Sequence, residues 1–276
     1  MKRILSGVIV VIIVGLFSPV LMAQEGTSLV LDGIYEKKIH KEREIIPYDH
    51  LRESDVFYAK RIWRVIDIRE KMNLPFAYPK EPFIQILLEA AYAGEINVYA
   101  PPGDEFKVPM TPDEVKGIGA SKDTILVTDP VTLEEVQTIV EQELDLDKIR
   151  KFRLKEDWVF DEETSTYICR IIGISPILDR YDENGNYQGE LPMFWAYYPE
   201  LRKILINKQA FNPFNDAHRL TWEDVFEARM FSSYIFKESN VYDQRIQDYA
   251  TGIDGLLESE RIRHYLYEKE HNLWSF

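Results

Sequence analysis

One cysteine, Cys169, stands in a chain of 276 residues, so no disulfide can form within a single copy. It lies in the apolar run YICRIIGIS and reads as a buried, inert thiol, with a reactive or intermolecular one as the alternative. Five histidines (His40, His50, His218, His264 and His271) are scattered, and none is spaced four residues from another histidine or a cysteine. HExxH and CxxC are both missing, which leaves only a metal site assembled from distant residues. GxSxG is missing too, and with it the usual signal of a serine nucleophile. GIGASKD, Gly117 to Asp123, has the look of a phosphate loop but lacks the GK[ST] ending, and reads as a connection. DENGN alternates Asp182, Asn184 and Asn186 like half of a calcium loop. It lacks the sixth-place glycine and the distal glutamate, so it reads as a hairpin turn. The sequence therefore names no catalytic residue, no metal ligand and no cofactor.

Basic residues are also in short supply. At the N-terminus Lys2 and Arg3 precede an apolar stretch from Ile4 to Phe17, and Pro19 and Ala23 follow. That order reads as a signal peptide over residues 1–23, cut between Ala23 and Gln24, although Leu21 is large for the minus-three place. An uncleaved anchor is the alternative, but about 14 apolar residues fall short of the roughly 20 a bilayer requires. No cysteine follows the cut to carry a lipid. Removing Lys2 and Arg3 from the 33 basic residues leaves 31 against 47 acids, a net charge of −16. Such a surface is repelled by phosphate backbones and anionic lipid, so no nucleic-acid partner is expected.

Residues 24–53 have no sustained periodicity and read as an extended arm lying on something else, or as a partly disordered linker. Within it, Leu29 to Leu51 is expected to bind a neighbouring subunit or partner, so its deletion should leave a folded monomer that no longer assembles. Ser54 to Asn73 reads as a helix, capped by Ser54 and stopped at Leu74-Pro75. At 100° per residue Lys60, Arg64, Asp67 and Lys71 fall on one strip, expected to meet acidic groups in this chain or on a partner, or else to face solvent. A second helix starts at Pro82 and ends at Gly94. INVYA is a short strand. Thr111 with Glu114, and Thr132 with Glu135, are capping boxes opening short helices. From about Lys148 the pattern turns to hairpins, first around DEETS and then around Asn184-Gly185. Thr221 and Asp224 start another helix, and the C-terminus is helical with a break near Ser259.

The stretch MFWAYYPELRKIL, Met193 to Leu205, sets four aromatics in five positions. Strand parity points Met193, Trp195 and Tyr197 one way and Phe194, Ala196 and Tyr198 the other. Both faces are apolar, which suits a covered core strand ended by Pro199. A polymer-binding platform would instead need at least two of Trp195, Tyr197 and Tyr198 on one open face. The expected fold is α+β: an extended arm, a helical first half and an antiparallel, hairpin-rich second half, with 54–276 as one domain.

Four stretches together carry a family likeness. VLDGIYEKKIHKEREIIPYDHLRESDVFYAKRIWRVIDIREKMN (Val30 to Asn73), FWAYYPELRKIL (Phe194 to Leu205), AFNPFNDAHRLTWEDVFEARMFSSYIFK (Ala210 to Lys237) and LLESERIRHYLYEKEHNLW resemble the gliding motility protein GldN, also called PorN, of type IX secretion machinery. The match spans nearly the whole mature chain and is least distinctive from about Glu105 to Asp157. The resemblance implies a non-enzymatic periplasmic component held at the inner face of the outer membrane. It would form a ring with copies of itself and a lipoprotein partner (GldK or PorK), and would contact the motor subunit (GldM or PorM). Membrane attachment would then come through the partner. Candidate partner contacts are Leu31, Ile34 and Tyr35 on the arm, and Lys60, Arg64 and Lys71. An exported carbohydrate- or polymer-binding module is the second reading, and a hydrolase with convergent carboxylates the third.

Overall fold

The computed structural model describes residues 43–118, 121–128, 135–142, 144–182 and 186–274. The expected signal peptide, its cut at Ala23 and Gln24, and the arm residues Leu31, Ile34 and Tyr35 lie outside them. From Glu42 onward the chain packs as one unit. Its frame is an antiparallel sheet of eight strands. The long strands β1 (Val56–Asp67), β6 (Ile149–Asp161) and β7 (Thr166–Tyr181) form the middle. The short strands β2 (Val98–Tyr99), β3 (Pro109–Met110), β8 (Tyr187–Pro192), β9 (Trp195–Tyr197) and β12 (Tyr234–Glu238) flank them. The order is β12-β1-β6-β7-β9-β2-β3, with β8 paired to a further stretch of β7. Two small ladders are separate from it: β4 (Ser121–Thr128) with β5 (Glu135–Gln142), and β10 (Gln209–Ala210) with β11 (Leu220–Thr221). The helices are α1 (Phe83–Tyr92), α2 (Pro112–Gly117), α3 (Tyr198–Leu205), α4 (Trp222–Glu227), α5 (Ile246–Tyr249) and α6 (Ile253–Trp274).

The helical first half expected from the sequence is therefore wrong. Ser54 to Asn73 forms no α-helix: Glu53–Asp55 is a 3-10 turn, Val56–Asp67 is β1, and Lys71–Ala77 is a 3-10 helix. β1 pairs with β6 along almost its whole length and with β12 on its other edge. Ile62 to Ile66 is buried on both faces, so the strand lacks the alternation of a half-exposed one. Apolar residues around most of a helical wheel are also what a doubly covered strand looks like. The content of Val56, Phe57, Tyr58, Ile62, Trp63, Val65 and Ile66, all β-branched or aromatic, favoured the strand. The same error recurs at Glu135–Gln142, which is β5 and not a helix; Thr132 lies outside the described residues.

Local punctuation reads more faithfully. Gly94 (φ +69°) ends α1, with Glu95 N–H on Ala90 O and Gly94 N–H on Ala91 O, the paired bonds of a left-handed helix stop. Thr111 and Glu114 form their capping box at α2, and Thr221 and Asp224 theirs at α4. The segment after α4 becomes β12, where a longer helix was expected. β6–β7 and β7–β8 are the two expected hairpins; the tip at 183–185 lies outside the described residues. α6 runs unbroken through Ser259, whose Oγ accepts from Ile235 N–H at 2.8 Å.

One face of the sheet carries the core. Phe76, Phe83, Phe152, Trp222 and Phe226 pack ring on ring under α1 and α4. A second cluster, Ile62, Trp158, Ile235, Ile246, Ile262 and Leu266, seats α5 and α6. On the other face Asp104 accepts from Trp63 Nε1 and pairs with Lys155 at 3.4 Å. Phe106 lies against Gly173, where an added Cβ would come within 2.6 Å of its ring. Met193, Phe194, Ala196 and Tyr198 are fully buried and Trp195 is 2% exposed. Pro199 stands in the first turn of α3. Met193 to Ala196, Tyr198, Leu201 and Leu205 are core, Tyr197 is half-buried, and the rings form no open platform.

Candidate interaction site

Between the two apolar clusters lies a buried ion group. Register and parity put Ile62, Arg64, Glu156 and Trp158 on one face of β1 and β6. Glu156, 0% exposed, accepts from Arg64 Nε (3.1 Å), Arg229 Nη2 (2.9 Å) and Trp158 Nε1 (3.1 Å). Arg229 reaches it from the left-handed residue (φ 53°) that stops α4, where Met230 N–H bonds Val225 O and Arg229 N–H bonds Phe226 O. Glycine is the usual residue at such a stop. Cys169 Sγ lies 3.6 Å from Glu156 and 2.9 Å from Arg229 Nη1. Burial, and then the Glu156 charge, push its thiol pKa well up, so the thiolate, the reactive form, is suppressed. The group orders the sheet and offers no open chemistry.

The accessible arrangement lies where the arm returns. Residues 43–51 run extended across α3, α4 and β7. Among the described residues they make no backbone-to-backbone hydrogen bond to the domain; side chains hold them. Both Arg43 nitrogens reach Asp224 (2.6 and 2.7 Å), the same carboxylate that takes Thr221 N–H and Oγ1 in the α4 cap. Arg202 Nη2 donates to Ile46 O (3.0 Å) and to Glu223 (2.7 Å), while Arg170 Nη2 donates to Asp49 O (2.7 Å). Both guanidiniums also lie over the Tyr48 ring, 4.1 Å and 4.9 Å from its centre. Glu227 Oε1 accepts the Tyr48 and Tyr198 hydroxyls together. Burial, then the hydrogen bond and charge of Glu227, raise the Tyr48 phenol pKa well above its ordinary value. The site thus reads a main-chain carbonyl, an aromatic ring, a second carbonyl and a distant guanidinium. That is how a groove reads a peptide.

Tyr48→Ala removes the ring from two cations and the hydroxyl from Glu227. A loss of about 2 kcal/mol in arm docking is expected, a roughly thirtyfold rise in its open population. Limited proteolysis should show faster cleavage within 43–50 with the midpoint of domain unfolding unchanged; equal cleavage rates would contradict it. Acid should act on the same contact. Burial works to raise the Asp224 pKa, but the bonds from Arg43 and Thr221 outweigh it and hold the carboxyl below its ordinary value. The folded value is then below the unfolded one. Its stabilisation is full above about pH 4 and disappears as pH falls through the folded value. Pepsin should therefore reach the arm as pH drops below about 4, with Arg43 and Arg202 staying charged beside Glu223 and Glu227. An Asp224→Asn variant with the same acid step as wild type would refute this assignment.

Of the six contact candidates, Leu31, Ile34 and Tyr35 are outside the described residues. Lys60 is half-buried, donating to Ser239 O (2.7 Å) beside Glu238 (3.4 Å). Arg64 is enclosed on Glu156, and Lys71 is exposed at the start of the 3-10 helix. The helical strip that grouped them does not exist. Tyr48, Arg170, Arg202, Glu223 and Glu227 had no sequence signal, being spread over about 180 positions. Only the Thr221–Asp224 box marked the place. A groove of about 420 Å³ along α6 is lined by Leu257, Glu260, Arg261, Arg263, His264 and Tyr267, with Arg263 paired to Glu260, Arg261 to Glu258 and His264 near Glu268. Among the described residues no group of His, Cys, Asp or Glu could hold a metal ion, and no helix is long and apolar enough to cross a membrane.

Fold and site together define a sheet-cored domain that clasps its own extended segment, residues 43–49, through arginine and carboxylate side chains. The family model described as gliding motility associated protein GldN matches residues 51–275, and the chain belongs to that family. It is thereby a component of gliding-motility and type IX secretion systems. The matched span begins just past Tyr48. No curated protein matches the chain.

Proposed function

We propose that the protein is a non-enzymatic structural part of the type IX secretion and gliding machinery, working in the periplasm at the inner face of the outer membrane. In this reading it forms a ring with copies of itself and with a GldK/PorK-like lipoprotein, which supplies membrane attachment. It also contacts a GldM/PorM-like motor subunit. The observation that carries the reading is the family match over residues 51–275. The exporting N-terminus expected from the sequence and the segment-clasping groove support it. Leu31, Ile34 and Tyr35 would continue the arm toward a neighbour. The polymer-binding alternative loses its motivation, because Trp195 and Tyr198 are core residues. Affinity purification from membranes with mass spectrometry tests the assembly. Near-equal recovery of a lipoprotein encoded beside this chain supports it, and a lone monomer refutes it.

A further inference from the structure

The ribbon of β4 and β5 is separate from the eight-stranded sheet: among the described residues its strands pair only with each other. Eight residue pairs run from Ser121↔Gln142 to Thr128↔Glu135 with no register shift. Each strand thus leaves one edge of backbone N–H and C=O groups without a strand partner. A two-stranded ribbon is marginal by itself in water. Open edges are commonly blunted by proline, bulges or lysines. Here neither strand contains proline, neither is bulged, and Lys122 is the single lysine. Thr124, Ile125, Val127, Thr128, Val136, Thr138, Ile139 and Val140 give the ribbon the composition of a paired strand.

We propose that this ribbon is an edge-to-edge joint between copies of the chain, the open edge of β5 in one copy pairing with the open edge of β4 in the next. The inference rests on the assembly reading above and assigns a surface to it. Charge selects the partner edge. β5 carries Glu135 and Glu141 and no cation, whereas β4 carries Lys122 with Asp123. Pairing β5 with β5 would gather four glutamates along one seam, and pairing β5 with β4 brings a lysine to them. Direction agrees. When neighbouring copies share one orientation, β5 and the next β4 run antiparallel, as they do within the ribbon. Both edges of every copy are then used, in a head-to-tail contact of the kind that closes into rings.

Cross-linking in cells decides it. Two full-length chains, both Cys169→Ser, are co-expressed, one with Thr124→Cys in β4 and the other with Ile139→Cys in β5. A thiol cross-linker spanning about 5 Å covers one strand spacing and not two. Cross-linked dimers are expected in the mixture and at least tenfold fewer in cells with either variant alone. Dimers from Thr124→Cys alone would mean two-fold β4 pairing, and none in the mixture would mean the ribbon joins nothing; either overturns the proposal. Lipoprotein recovery is scored separately. With lipoprotein recovered and dimers absent, the joint fails and the assembly reading stands; with the lipoprotein lost, the assembly reading fails.

Discussion

Glu156→Ala is expected to lower the unfolding free energy by about 3–5 kcal/mol, the cost of breaking a buried ion pair from one side. The carboxylate is fully enclosed and Arg64 beside it is nearly so. Removing the charge leaves Arg64 buried against Trp158 with no anion, while Arg229, more exposed, can turn to water. Glu156→Gln should cost less, since it keeps the acceptor oxygen. Replacing Glu156 and Arg64 together by leucine and methionine should recover at least half of the loss, because no unpaired charge then stays inside. Urea unfolding of the three variants measures this. A Glu156→Ala loss below about 1 kcal/mol would mean that the group is far more hydrated than its geometry implies.

Phe83→Ala is the second large effect, expected at about 3–5 kcal/mol. Phe83 opens α1, is fully buried, and meets Phe76, Phe152, Trp222 and Phe226 at centroid distances of 4.6 to 5.3 Å. Its ring joins the 3-10 helix, α1, β6 and α4, so the cavity cannot close by moving one element. Phe83→Leu, which fills most of the volume, should cost less than half as much. Equal losses for leucine and alanine would show that ring stacking, and not volume, carries the contribution.

The β1 error shows what a single sequence can carry. VFYAKRIWRVID contains β-branched and aromatic residues in number, yet its apolar positions satisfy a helical wheel as well as a strand. What decides between them is β6, about 90 residues further on, and β12, about 170 residues further on. Neither leaves a mark inside the segment itself. The short helices were readable because a cap is made by neighbours: Thr111 with Glu114, Thr221 with Asp224, and Gly94 at its own turn. The end of α4 escaped notice since Arg229 stands where glycine normally would, and its reward is the distant Glu156.

The candidate site divides in the same way. Asp224 was legible as a cap, but its second role, holding Arg43, appears only when the arm folds back. Arg202 reads as an ordinary solvent-facing position of a short helix until Ile46, Tyr48 and Glu223 converge on it.

By itself the sequence determined the net acidic charge, the lack of an internal disulfide, the caps of α2 and α4, the stop of α1, the hairpins and the family, for these rest on composition or on groups a few residues apart. Tertiary structure alone decided that Val56 to Asp67 is a strand, that Arg64 faces Glu156, and that Tyr48 lies under Arg170 and Arg202. Those outcomes depend on burial, which changes the energy of a charge or an apolar ring by several kcal/mol. Local propensities differ by less than one, so where the two conflict the packing wins.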